Sequence, residues 1–74
     1  NELARLYTLL DISSDEVRQR REVLRVTNGR VTMGLETEVE KRTAEANLAA
    51  SEVAVAALEG SIQRTRYQLG ALLA

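Results

Sequence analysis

The sequence predicts an all-α protein, a long antiparallel coiled-coil helical hairpin, and three observations lead to this fold class. Proline is absent while alanine, leucine, glutamate and arginine are abundant, a composition that favours helix over strand. Apolar residues recur at alternating spacings of three and four along two long segments. Only the stretch around Gly34 interrupts both repeats. We therefore predict a single hairpin over residues 1–74, with helices at 2–33 and 38–73 and a tip at 34–37.

The first helix is predicted from an apolar row with a seven-residue repeat: Leu3, Leu10, Val17, Leu24 and Val31, with Leu6 and Ser13 at interleaved positions. A second, patchier row lies about 200° around the helix and comprises Leu9, Ile12, Val23, Val26 and Met33. Two internal stretches resemble helix ends, a capping box at Ser13–Glu16 and a turn at Asn28–Gly29. The first row crosses both stretches without a change of phase, so we predict one continuous helix.

The second helix carries two complete rows. The inner row holds most of the large side chains: Ala44, Leu48, Ser51, Val55, Leu58, Ile62, Thr65, Leu69 and Leu72. The outer row, two residues further on, is mostly small: Ala46, Ala50, Val53, Ala57, Gly60, Arg64, Tyr67 and Ala71. Glutamates at every seventh position form a solvated stripe between the rows. In an isolated hairpin, each helix needs only one apolar row, which packs against the other helix. A second row therefore predicts neighbours on both sides of the hairpin, as in an α-barrel. A four-helix bundle fits the periodicity equally well.

The charge balance and the short apolar runs exclude several classes of partner. The net charge is -1, which provides no basic field for nucleic acid, and the arginines between Arg18 and Arg25 are interpreted as a solvated helix face. The longest apolar run, residues 53–58, has six residues, against roughly 20 needed to span a bilayer. No signal peptide begins the chain, so we expect either a cytosolic protein or an internal piece of a larger one.

Chemistry that depends on particular side chains is excluded by composition. Histidine and cysteine are absent, which excludes zinc sites, histidine-based triads and disulfides. The four glycines form no phosphate-binding loop. The carboxylates at seven-residue spacing lie on a solvated stripe and not in a pocket. We predict no catalytic residues, no metal and no cofactor, and therefore no enzyme.

The tip combines helix-ending residues with exposed apolar ones. Gly34 can adopt the left-handed conformation that ends a helix, and Thr37 with Glu40 matches a capping box for the next helix. A helix stop and a capping box at the turn of the hairpin adequately explain why these three residues are present. It does not explain Met33 and Leu35, because apolar side chains at an exposed tip need a partner.

The residues of the tip also carry a family resemblance. Arg30-x-x-x-Gly34-Leu35-x-Thr37-x-Val39-Glu40, followed by Ala44-Glu-Ala-Asn-Leu48-Ala-Ala, resembles the periplasmic hairpin of the TolC/NodT outer-membrane efflux channels. The closing stretch Tyr67-Gln-Leu-Gly-Ala-Leu-Leu73 is similar to the end of the same hairpin. The ungapped match runs from about Leu3 to Ala74, and Val31 stands where the family usually has an aromatic residue.

The resemblance implies an architecture and a set of site residues. Three subunits, each with two such hairpins, would form a twelve-helix barrel in the periplasm, and a periplasmic adaptor would dock at its mouth. The docking motif would consist of Met33, Gly34, Leu35 and Thr37. Arg30 and Glu40 would belong to a polar lattice that holds the mouth shut. The family's β-strands, lipid-attachment cysteine and second hairpin are absent, so this piece would make no membrane contact.

Two other interpretations share the heptads and the length. The first is the helical hairpin of the periplasmic adaptor itself, which would carry an Arg-Leu-Ser tip motif where this chain has Gly34-Leu35-x-Thr37. The second is a cytosolic coiled-coil scaffold or interaction module. A secretion signal and a second, similar hairpin in the full gene are required by the channel interpretation and unexpected for a scaffold.

Overall fold

The computed structural model describes residues 1–73 as two long helices joined by a short turn. Helix α1 comprises Glu2–Thr32 and helix α2 comprises Glu38–Leu73. They lie side by side in a rod of 60 × 15 × 11 Å, and the turn of residues 33–37 makes them antiparallel. The predicted all-α helical hairpin is confirmed. Helix α1 ends one residue before the predicted boundary, and α2 covers the predicted range.

Helix α1 passes through both stretches that resemble helix ends. Ser13–Glu16 and Asn28–Gly29 are helical throughout. The carbonyls of Asn28 and Gly29 accept bonds from the Thr32 hydroxyl and the Met33 amide, at 3.0 and 3.1 Å. The apolar row therefore prevails over the local signals, because a break would remove the rest of α1 from its contact with α2.

The contact between the helices is made by the rows that the periodicity identifies. The most buried side chains are those of Leu6, Thr27, Ala44, Ser51 and Ile62. Thr27 was missed in the sequence because it is polar, although it continues the row of α1. Arg20 continues the same row and is half-buried, with its guanidinium turned outward to Glu16 at 3.5 Å. Small or polar residues thus interrupt the apolar contact at regular intervals.

The inner row of α2 is longer than the surface of α1 that can cover it. Leu69 and Leu72 belong to this row, but they are 44% and 83% exposed. Helix α1 begins at Glu2 and has five residues fewer than α2, 31 against 36, so the end of α2 extends beyond it. The inner row is therefore packed only along the part that faces α1.

Ion pairs within residues 1–73 stabilise α1 but do not join α1 to α2. Within the described helices they link residues three or four apart: Glu2–Arg5, Asp15–Arg18, Glu16–Arg20 and Glu22–Arg25. Hydrogen bonding to Arg25 lowers the pKa of the Glu22 carboxyl, and Arg5 does the same to the pKa of Glu2. These groups are solvent-exposed, and such pairs contribute little beyond the helix itself. The cohesion of α1 with α2 depends on packing of the rows.

Replacement of Ile62 by alanine is expected to destabilise the hairpin more than any surface change. The side chain is only 5% exposed, and a buried isoleucine truncated to alanine loses about 2–5 kcal/mol. Urea denaturation followed by circular dichroism, at one fixed protein concentration, measures the effect. Thr8→Ala is the control, since Thr8 is an exposed β-branched residue outside the apolar rows, and it should change stability by less than about 0.5 kcal/mol. Equal losses in the two variants would contradict the packing described above.

Candidate functional site

The turn after α1 is fixed by two backbone hydrogen bonds and one glycine. The Leu35 amide donates to the Arg30 carbonyl at 2.8 Å, and the Gly34 amide donates to the Val31 carbonyl at 3.0 Å. This pair of bonds is the Schellman arrangement that ends many helices. It requires a left-handed residue, and Gly34 supplies it with φ of 76°. The Gly-Leu pair of the motif thus forms the turn itself.

The start of α2 is capped by a carboxylate. Glu40 Oε2 accepts a hydrogen bond from the Thr37 amide at 3.0 Å, and the Thr37 carbonyl accepts from the Lys41 amide at 3.3 Å. The predicted capping box contains a second bond, from the Glu40 amide to the Thr37 hydroxyl. That bond is not formed among the described residues, so the box is half complete.

An ion pair joins the end of α1 to the segment between the helices. Arg30 Nε donates to Glu36 Oε1 at 2.6 Å, and the two side chains are 46% and 26% exposed. Glu36 was not among the predicted site residues. No sequence signal identifies this pair, because residues six apart meet only after the turn has brought them together.

The tip presents apolar side chains to solvent. Met33 is 68% exposed and Leu35 is 59% exposed. Val39, in the first turn of α2, is 72% exposed and is not among the predicted site residues, although it belongs to the motif that carries the family resemblance. The predicted docking residues therefore lie together on the turn or beside it. Met33 and Leu35 are apolar, and the charged residues Arg30, Glu36 and Glu38 are close to them in sequence.

Both residues predicted for the polar lattice are engaged within the tip. Arg30 binds Glu36, and Glu40 binds the Thr37 amide, as described above. Each retains bonding capacity: the bond of Arg30 uses Nε, which leaves its two terminal nitrogens, and the bond of Glu40 uses Oε2, which leaves Oε1. Contacts to a neighbouring hairpin can therefore be added without loss of the bonds within the tip.

The outer row of α2 forms a second exposed surface. Val53 and Tyr67 are 69% and 77% exposed, and the alanines of the row are exposed as well. Arg64 folds back along the helix, where it donates to the Ser61 hydroxyl at 2.9 Å and approaches Gly60. Arg64 is the only charged member of the row. Exposed glutamates such as Glu45, Glu52 and Glu59 lie elsewhere on α2, so the neutral surface is limited to the outer row.

This chain has no match among known protein families, curated proteins or solved structures. Arguments about its function therefore start from the two surfaces just described and from the motif residues at the tip.

A groove along one flank of the hairpin is lined mainly by charged side chains. Its walls carry both signs of charge: Asp11, Asp15, Arg18, Arg21, Glu52 and Glu59. Val17 and Val55, from the two facing rows, also line it, and the groove is open to solvent. No group of three acidic residues within residues 1–73 could hold a metal ion. Over the same residues, neither helix has an apolar stretch long enough to cross a membrane.

Proposed function

We propose that this chain is a periplasmic α-barrel hairpin of an outer-membrane efflux channel. In this proposal α1 and α2 form part of the conduit wall, and the tip docks a periplasmic adaptor protein in a tripartite efflux pump. The full-length channel is a trimer, and the hairpin lies in the periplasmic part of that outer-membrane protein. The observation that carries the proposal is the apolar tip, Met33 and Leu35, held outward on a glycine turn within the family-like motif.

The geometry of the tip supports a docking function. An exposed leucine or methionine on a mobile loop would lose conformational entropy on binding. Here Leu35 is attached to α1 through its own amide, so its backbone is already ordered. Apolar side chains on an ordered backbone are typical of the centre of a protein interface. The partner that fits is another helical tip of complementary shape.

The exposed rows support a place in a wall of helices. The outer row of α2 is small and nearly uncharged, which permits close approach of a neighbouring helix. The second row of α1 is exposed as well, with Ile12 at 60% and Val23 at 50%. A hairpin with apolar rows on both helices is suited to neighbours on both sides.

The solvent-accessible surface area of the hairpin is larger than expected for a compact monomer, which supports the view that neighbours cover part of it. The hairpin exposes 5548 Å², whereas a compact monomer of 8.2 kDa exposes about 4,500 Å². The difference, about 1,000 Å², is comparable to one partner's share of a standard protein interface. Burial of the outer row of α2 and the second row of α1 against neighbours would therefore reduce the exposed surface area to that of a compact protein of this size.

The polar lattice at the mouth remains part of the proposal. Arg30 and Glu40 keep free donors and a free acceptor beyond their bonds within the tip. Neighbouring hairpins, each presenting the same two groups, could pair them across the interface. In this arrangement, the bonds between hairpins form in addition to the Arg30–Glu36 and Glu40–Thr37 bonds within each tip.

Site-specific photocrosslinking in the full-length protein tests the proposal. A photoreactive amino acid at position 33 or 35 is expected to capture a periplasmic adaptor, identified by mass spectrometry. Ile12 is the control position, because it is similarly exposed but lies about 30 Å from the tip along α1. Crosslinks from position 12 should join copies of the channel to each other. Capture of a cytosolic protein at the tip would support the scaffold interpretation, and capture of an outer-membrane channel would identify the chain as the adaptor; either result contradicts the proposal.

A further inference from the structure

The ion pair at the tip differs in kind from the other ion pairs of this chain. Pairs such as Glu22–Arg25 join residues three or four apart and need only a helix to form. Arg30 and Glu36 are six residues apart, and Glu36 lies outside both helices. The two side chains meet only when the turn has its folded geometry. Formation of this pair is therefore coupled to the conformation of the tip.

Arg30 holds the tip at two successive residues. Its carbonyl accepts the Leu35 amide at 2.8 Å, and its guanidinium binds the Glu36 carboxylate at 2.6 Å. On the other side of the turn, Glu40 holds the Thr37 amide. Each residue from Leu35 to Thr37 thus has at least one attachment, and for Glu36 it is the ion pair with Arg30. Glu36 is accordingly only 26% exposed, although it lies on the turn.

We propose that the Arg30–Glu36 pair is a latch that positions the apolar tip for docking. Closed, the latch fixes the chain between Gly34 and Thr37 and keeps the Leu35 side chain turned outward. Open, it leaves Glu36 free to rotate, and the link to α2 loosens. The docking part of this inference rests on the proposed function, whereas the ordering of the tip does not. Arg30 and Glu36 act here as positioning residues, with Leu35 as the group that meets the partner.

Side-chain variants isolate the latch, because they leave both Schellman bonds available. Arg30→Gln and Glu36→Gln each remove one charge of the pair while the Arg30 carbonyl still accepts the Leu35 amide. Glu38→Gln is the matched control, since it removes a nearby carboxylate that forms no ion pair among the described residues. The double variant R30E/E36R restores an ion pair with the charges exchanged.

Amide hydrogen exchange of the 74-residue chain, followed by NMR, measures how well the latch orders the tip when no partner is present. In Arg30→Gln and Glu36→Gln we expect the Leu35 amide to exchange about twofold to fivefold faster, the effect of a partly exposed ion pair. Helix content by circular dichroism should stay constant. Glu38→Gln should leave the rate unchanged, and R30E/E36R should recover at least part of the protection. A loss of helix alone would not be reversed by exchange of the charges, so this recovery separates positioning from general destabilisation.

The same variants in the full-length protein test the docking part. Capture of the adaptor from position 35 should fall in Glu36→Gln and persist in Glu38→Gln. If exchange accelerates while even the wild-type protein captures no adaptor, the latch stands and the proposed function fails. If the wild-type protein captures the adaptor but the Leu35 amide exchanges equally in all variants, the proposed function stands and the latch is wrong.

Discussion

Gly34→Val in the full-length protein is expected, on the proposed channel function, to abolish efflux while the proposed trimer still assembles. Gly34 has φ of 76°, where a β-branched residue is strongly disfavoured, at a cost of about 1–2 kcal/mol or more. Beyond the two adjacent residues, no atom lies within 4 Å of the position its Cβ would take, so the cost is local backbone strain and not a clash with the rest of the fold. The turn must shift to relieve this strain, and Leu35 moves with it. Antibiotic susceptibility measures efflux, and native electrophoresis of the purified protein measures assembly.

The chain offers a matched control at Gly29. This glycine is helical and equally open, with nothing within 4 Å of the added Cβ. Gly29→Val therefore meets no strain and is expected to keep wild-type resistance. Leu35→Ser complements the pair, because it removes the apolar side chain but keeps the amide that bonds to Arg30. We expect Leu35→Ser to lose resistance as well, with the turn intact. Normal resistance in both Gly34→Val and Leu35→Ser would refute the docking function.

Ala57→Glu is expected to weaken self-association of the chain by at least about tenfold. Ala57 lies in the middle of the outer row of α2, where the small side chains permit close helix contact. A glutamate there must either remain in water and separate the helices, or be buried without a partner at a cost of several kcal/mol. Sedimentation equilibrium over a range of concentrations measures the dissociation constant. The wild-type chain itself should associate as concentration rises, since the row is otherwise exposed.

Asn28→Asp provides the comparison for this experiment. Asn28 is exposed on α1 and lies outside both apolar rows, so the same change in charge should leave association unaffected. Circular dichroism should show that both variants remain helical. A wild-type chain that stays monomeric at every accessible concentration would contradict the view that the second row is an interface.

Sequence periodicity determined the two helices, their approximate ends and the faces that meet. The rows of α1 and α2 were predicted because a seven-residue repeat places side chains on one stripe of a helix, and that geometry is local. The same repeat overcame the misleading signals at Ser13–Glu16 and Asn28–Gly29. Gly34 was predicted as the turn because it interrupts both repeats and because glycine tolerates a left-handed conformation.

The tertiary structure alone decided how the tip is held. The pairing of Arg30 with Glu36 depends on the direction in which the chain leaves Gly34, and no local repeat encodes that direction. The structure also shows how exposed the inner row is where α2 extends beyond α1, with Leu69 at 44% and Leu72 at 83%. Periodicity records which residues share a face of one helix, whereas contacts across a turn and the overlap of two helices are set by where the chain goes in space.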